Sequence, residues 1–387
     1  MGILANTVSF CQYRVVGTPP TGDPAAWAGE ALAKGGFRPI DGTAEELSVG
    51  WVALDDPRDA SFSFEPAFRR DHYLTFSLRR DQRRIPGALL RAHLEAAENE
   101  FLAAHPGLQR VPRQKREELR ETVRGALFAK TLPAPAIYDA AWDTRRGVVS
   151  FASLSPKVLE LFENLFKQCF EGLRLVPIHP FARASEVTPE ALQPALQAAN
   201  GASNDAVLDL IRDNQWLGAD FLLWLLYRTL NEDARYKVSQ EGPALAGGEF
   251  VAYLNDRLVL LGGGESGVQK ITVAGPQDNF SEVRTALLNA KQISEAILYL
   301  EQDENLWKTT LKGGTFHFAS FKAPSVRIER GQRTDEDAER VAVFYERMAV
   351  LEEGLQLFDS LLADFMQVRL GAEWPEWRGR FDAWLEG

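Results

Sequence analysis

The sequence predicts an α+β fold, with two small strand-helix-strand halves flanking a helical pair, then a C-terminal α+β region with a long terminal helix. Three observations carry this prediction. Strand-like alternation and helix-like periodicity succeed one another through the first 180 or so residues. A Pro-bounded, strongly charged helical stretch interrupts them after residue 85. An unbroken apolar 3-4 repeat runs from Val341 to Phe365. With 387 residues, 45% hydrophobic and 25% charged, the chain can bury a large core divided among subdomains.

Residues Thr7 to Val16 read as the first strand. DPAAWAGEALAKGG then supplies an N-cap at Asp23, Pro24 at the first helical position and Gly35 just past the end. SVGWVAL and HYLTFSLRR read as two more strands. In the second, Leu74, Phe76 and Leu78 share one face, while Tyr73, Thr75 and Ser77 share the other. Pro86 opens a helical region reaching about Leu132, broken at His105-Pro106-Gly107.

AIYDAAWD and GVVSFAS form a hairpin around TRRG, and SPKVLELFENLFKQCF follows as a helix capped by Ser155. Its stripe of Val158, Leu161, Phe162, Leu165, Phe166 and Cys169 faces the core. LRLVPI completes the second strand-helix-strand unit. The segment from Phe181 to Gly248 reads as helices and loops, an inserted subdomain. GEFVAYLND, RLVLL and VQKITVAG form a meander, followed by a helix at Ser281 to Glu301 and strands at LWKTTLK and TFHFASFK. Four segments result: 1–85, 86–182 with the helical pair, 183–247 as the insertion, and 248–387 with the terminal helix.

In the terminal helix, Val341, Phe344, Met348, Leu351, Leu355, Phe358, Leu362 and Phe365 make a seam at a 3.5-residue period. Such a seam requires a partner, either elsewhere in the chain or in a second copy.

FLLWLLY is bracketed by Asp220 and Arg228, so no membrane span is expected. MGILANTVSF lacks the pattern of a secretion signal, and Cys11 and Cys169 match no metal or redox spacing, so a cytoplasmic location is expected. Gly262, Gly264 and Gly267 match G-x-G-x-x-G, but VQKITV alternates like a strand where a dinucleotide site needs a helix. A glycine-rich hairpin is the better reading. Ser266 lacks the last glycine of a nucleophile elbow, the five histidines have no short ligand spacing, and no lysine has Asp or Glu two residues before it. Neither catalysis, a metal nor a cofactor is expected.

The formal net charge is −11, yet Arg69 to Arg124 holds thirteen Lys or Arg against eight Asp or Glu. Within RVPRQKREELRETVR, residues 110–124, Arg113, Arg116, Arg120 and Arg124 fall in about an 80° sector of a helix, on the shoulder of Leu119, Val123 and Ala126. FRRDHYLTFSLRRDQRR adds six arginines against two aspartates. Guanidinium forks suit phosphate oxygens, and arginines without base-reading motifs point to sequence-indifferent contact with a nucleic-acid backbone.

The succession of SVGWVAL, RRIPGALLRAHLEAAENE, KREELRETV running into LPAPAIYDAAWD, and SPKVLELFENLF leading to LVPIHPF resembles the RdgC family of recombination-associated proteins over residues 3–182. The last third of the chain is similar only loosely. The resemblance implies a non-enzymatic, nucleoid-associated DNA-binding protein that forms a ring-shaped homodimer around duplex DNA and restrains the RecA recombinase. Single-stranded DNA is a further candidate partner.

Carried onto this chain, the family's basic helix corresponds to Arg113, Lys115, Arg116, Arg120 and Arg124, and its basic strand end to Arg79, Arg80, Arg83 and Arg84. Lys308, Lys312 and Lys322 are weaker candidates. The resemblance favours the terminal-helix seam as a dimer contact. A module that binds the recombinase without DNA and a metal-dependent nuclease are the alternatives. The 183–247 segment and a tail bearing Trp374, Trp377 and Trp384 depart from the family.

Overall fold

A computed structural model describes residues 2–19, 24–43, 45–264, 267–275, 280–326 and 336–386. In chain order the elements are β1 (Thr7–Gly17), α1 (Pro24–Lys34), β2 (Leu47–Val52), β3 (Arg69–Arg70), β4 (Tyr73–Gln82), α2 (Gly87–Ala104), α3 (Arg113–Lys130), β5 (Ala134–Asp143), β6 (Val148–Phe151), α4 (Pro156–Cys169) and β7 (Leu173–Pro177). There follow α5 (Pro180–Val187), α6 (Gln193–Ala198), α7 (Val207–Asp213), α8 (Trp216–Asn231), β8 (Arg235–Lys237), β9 (Glu249–Gly264), β10 (Gly267–Ala274), α9 (Ser281–Leu288), β11 (Gln292–Gln302), β12 (Asn305–Lys312), β13 (His317–Lys322), α10 (Glu336–Leu370) and α11 (Trp374–Glu386). The α+β class is as predicted. The cap predicted at Asp23 and the serine at 266 lie outside the described residues.

Two compact units interleave along the sequence instead of following consecutive segments. The smaller comprises Gly17–Ala140 and Glu160–Leu173; the larger comprises Met1–Val16, Ala141–Leu159 and Arg174–Gly387.

In the smaller unit, β4 lies between β5 and β2, with the short β3 also on β4. Its core is aromatic: Trp51 meets Phe76 at 5.0 Å and Phe162 at 5.6 Å, and Phe166 stacks on Phe170 at 4.4 Å. Glycine permits the close approach that builds it. A Cβ on Gly50 would come within 2.3 Å of the Phe37 backbone, and one on Gly35 within 2.4 Å of the Cys169 sulfur. Both faces of β4 are enclosed, since Tyr73 through Leu78 are all buried. Polar Ser77 is accommodated on its enclosed face by donating to Asp139 at 2.9 Å.

In the larger unit the strand order is β10-β9-β11-β12-β13-β1-β6, with β8 added to β9. Antiparallel pairing puts Leu254, Leu298, Trp307 and Phe318 among the buried side chains, and α8 and α10 supply much of the apolar covering. The glycine-rich turn is the predicted hairpin: β9 ends at Gly264, which pairs with Gly267 of β10. Leu217, Phe221, Leu222, Trp224 and Leu225 of α8 are completely enclosed, so one face of this helix belongs to the core of this unit.

The seam of α10 is used inside its own chain, which corrects the expectation that it forms a dimer contact. Phe344, Met348, Leu351, Leu355, Phe358, Leu362 and Phe365 are buried, and only Val341 is exposed. Phe358 packs on Phe221, Phe316 and Phe318, and Phe365 on Phe221 and Trp224, at ring separations of 5.1–5.9 Å. Leu357, Leu361 and Met366 are buried as well, so this half of the helix is enclosed around most of its girth rather than along one stripe. Gly354 lets it approach β12: a Cβ there would meet the Trp307 ring at 2.5 Å, and the Trp307 indole donates to the Val350 carbonyl at 2.8 Å. No described helix is long and apolar enough to cross a membrane.

Candidate nucleic-acid interface

The basic residues belong to the smaller unit, most of them on the hairpin of α2 and α3. Pro86 and Pro112 stand immediately before the two helices, where the missing N–H is no loss. The two helices pack mainly on each other. α2 buries no residue, and α3 buries only Leu127. Half-buried Leu94, Ala97 and Phe101 of α2, with Leu119 and Val123 of α3, make up the thin apolar seam. The hairpin therefore presents most of its surface to solvent.

Arg113, Arg116, Arg120 and Arg124 are all exposed on α3, as predicted from their sector. Most have carboxylate neighbours. Arg113 lies 3.5 Å from Glu117, Lys115 is 2.8 Å from Glu118, and Arg124 is 3.5 Å from Glu46. Arg116 forms a two-point pair with Glu98 of α2, at 2.7 and 2.9 Å. Its guanidinium holds the Glu98 carboxyl below the usual carboxylate range. Among the described residues Arg120 makes no ion pair, and neither does exposed Arg110 in the turn before α3. Arg110 was not among the predicted contacts, although its place in the basic run was a visible signal.

The strand end behaves differently, and two of its predicted contacts are corrected. Arg83 is 4% exposed, and its guanidinium donates to the carbonyls of Ile40, Asp41 and Thr43 at 2.6–2.9 Å while lying 5.5 Å from the centre of the Phe128 ring. It is a clamp on a loop. Arg79 forks onto Asp81 at 2.7 and 2.9 Å, donates to the Pro57 carbonyl and lies over the Phe37 ring. Neither guanidinium is free to meet a phosphate. Arg80 is half-buried with its Nε enclosed, and Arg84 is exposed with a single bond to Gln82. Between the root of α3 and the loop near residue 42 lies a cleft of about 620 Å³, lined by Glu46, Arg83, Glu121, Arg124 and Phe128 among others.

Of the weaker candidates, all in the larger unit, Lys308 is paired with Asp256 at 2.7 Å and lies over the Tyr299 ring. Lys312 is half-buried, and Lys322 is exposed. Among the described residues no three His, Cys, Asp or Glu side chains gather where they could hold a metal ion.

The arrangement gives one helix whose exposed guanidinium groups share a side, partly neutralised by carboxylates. Such a surface can exchange carboxylate for phosphate oxygen.

No curated protein matches the chain. The RdgC family model, described as "Putative exonuclease, RdgC", matches residues 13–194. The word exonuclease stands at odds with the expectation of no catalysis. The matched span takes in β2 to β7 and the whole basic hairpin, and over it the chain is similar to the RdgC family.

Proposed function

We propose that the chain binds DNA through its phosphate backbone, without regard to sequence, within the recombination-related role that its similarity to the RdgC family supports. The observation that carries this reading is the run of exposed guanidinium groups on one side of α3, a helix that buries almost nothing of its own. A helix that is polar nearly all round and is not needed for the core has its surface available for a ligand. Charge reversal at Arg116 and Arg120 tests it. The double variant is expected to shift several unrelated duplexes far more weakly and to equal degree, with its circular dichroism unchanged. Undiminished binding would contradict the proposal.

The finer parts of the proposal are a homodimer closed into a ring around duplex DNA and a restraint on the RecA recombinase. With the α10 seam buried in its own chain, ring closure would use other surfaces. A solution mass of one chain would remove the ring.

Exposed Leu89, Leu108 and Leu132, on or beside the hairpin, favour a second reading in which it docks onto a protein. Capture of the recombinase that survives nuclease treatment, with no shift of naked DNA, would establish that reading instead. Cleavage of linear DNA in Mg²⁺ or Mn²⁺ would restore the nuclease alternative.

A further inference from the structure

The carboxylates on the hairpin do not all stand in the same relation to their cations. Glu117 and Glu118 pair within α3, one turn from Arg113 and Lys115, and are 70% and 54% exposed. Pairs of that kind are local, mobile and weak. Glu98 is different. It comes from the other helix, eighteen residues earlier in sequence, and its side chain is only 19% exposed while that of Arg116 is 60% exposed. Both carboxylate oxygens are engaged, one by Nε and one by Nη2 of Arg116. This fork is the geometry a guanidinium uses for a phosphate.

We propose that Glu98 is a built-in stand-in for phosphate, which holds Arg116 until DNA displaces it. The inference rests on the DNA-binding reading of the hairpin. The mobile member of the pair is the cation: the guanidinium sits at the surface on a long stem, whereas the carboxylate is fixed in the seam between the helices. Arg120, one turn further along, makes no ion pair among the described residues and is ready at first encounter. Arg116 joins only by giving up Glu98, so each capture is an exchange of one anion for another. The consequence is weaker and more selective binding than the count of arginines implies. Isolated or weak anions leave Arg116 with Glu98, and a dense row of phosphates removes it.

The test measures affinity for a short mixed-sequence duplex across a range of salt for the wild type, Glu98→Gln and Glu95→Gln. Glu95 lies on the same helix, is exposed and makes no ion pair among the described residues, so its substitution removes the same charge without freeing an arginine. Glu98→Gln keeps the shape of the side chain and removes its charge. It is expected to bind about two- to five-fold tighter, the scale on which an exposed ion pair competes. Its plot of log affinity against log salt should steepen by up to about one further counterion, because Arg116 is no longer neutralised beforehand.

Glu95→Gln is expected to change both much less. Equal or weaker binding by Glu98→Gln would overturn the proposal and make Glu98 a positioning residue for Arg116. An equal gain from Glu95→Gln would also overturn it, leaving only a net-charge effect. If wild type and Glu98→Gln both fail to bind at low salt, the DNA reading and the competitor are withdrawn together. Binding by the wild type with no gain in Glu98→Gln removes the competitor alone.

Discussion

Arg83 and Arg116 are the same residue type in the same basic stretch, yet their surroundings give them opposite work. Arg83 is enclosed and its two Nη groups donate to three carbonyls, so it holds a loop; removing it would take these bonds away, although the Ile40 carbonyl would still accept from Thr43. Arg83→Ala is expected to cost about 1–3 kcal/mol of stability, visible as a lowered melting temperature. Arg120→Ala, at an exposed position that makes no ion pair among the described residues, is expected to stay within about 0.5 kcal/mol of wild type while weakening DNA binding.

A second prediction at this scale concerns His317, which burial and the nearby Lys312 push down to about 4 from an ordinary 6.5. The unfolded chain takes up that proton more readily. This contribution is therefore fully present above about pH 6.5 and is lost as pH falls toward 4. His317→Gln should flatten the fall in thermal midpoint across that interval. An unchanged pH profile would contradict the assignment.

At the scale of the element, α10 shows what periodicity contains and what it omits. Its 3-4 spacing is plain in the sequence and correctly predicts a helix, but spacing alone does not say what lies opposite the seam. The further apolar positions Leu357, Leu361 and Met366, with Gly354 among them, carried the missing signal of a helix enclosed on several sides. Phe358→Ala should cost about 3–5 kcal/mol, since it opens a cavity among its three aromatic neighbours Phe221, Phe316 and Phe318. Gly354→Val, forced against Trp307, should cost about 1–3 kcal/mol.

The α2–α3 hairpin was legible for a simpler reason. Pro86, Pro112 and the Pro-Gly break are local signals, and an exposed helix owes little to distant parts of the chain. The strand end was not legible. The path of a long arginine side chain depends on what folds over it, and nothing near Arg79 or Arg83 in sequence announces Phe37, Pro57 or the carbonyls of residues 40–43. The pairing of Arg116 with Glu98 is likewise a tertiary fact, invisible to spacing within either helix.

For the whole molecule, a net charge of −11 would oppose DNA if it were spread evenly, so binding depends on where the cations are gathered. After the corrections, seven of the predicted contacts remain exposed or half-buried: Arg80, Arg84, Arg113, Lys115, Arg116, Arg120 and Arg124. Burial is equally uneven. The hairpin encloses one residue, whereas α8 and α10 are deep in the larger unit, so amide hydrogens of α2 and α3 should exchange well before those of α8 and α10.

The most direct test of the central claim is the salt dependence of duplex affinity, compared between wild type and a variant with Arg113, Arg116 and Arg120 replaced by alanine. Six phosphate contacts predict a slope of about −5 and a loss of roughly 10³-fold between 50 and 200 mM salt, with the variant shallower by about three counterions before any neutralisation by Glu98 is counted. A wild-type response that is nearly flat, or a variant whose slope equals that of the wild type, would contradict the account.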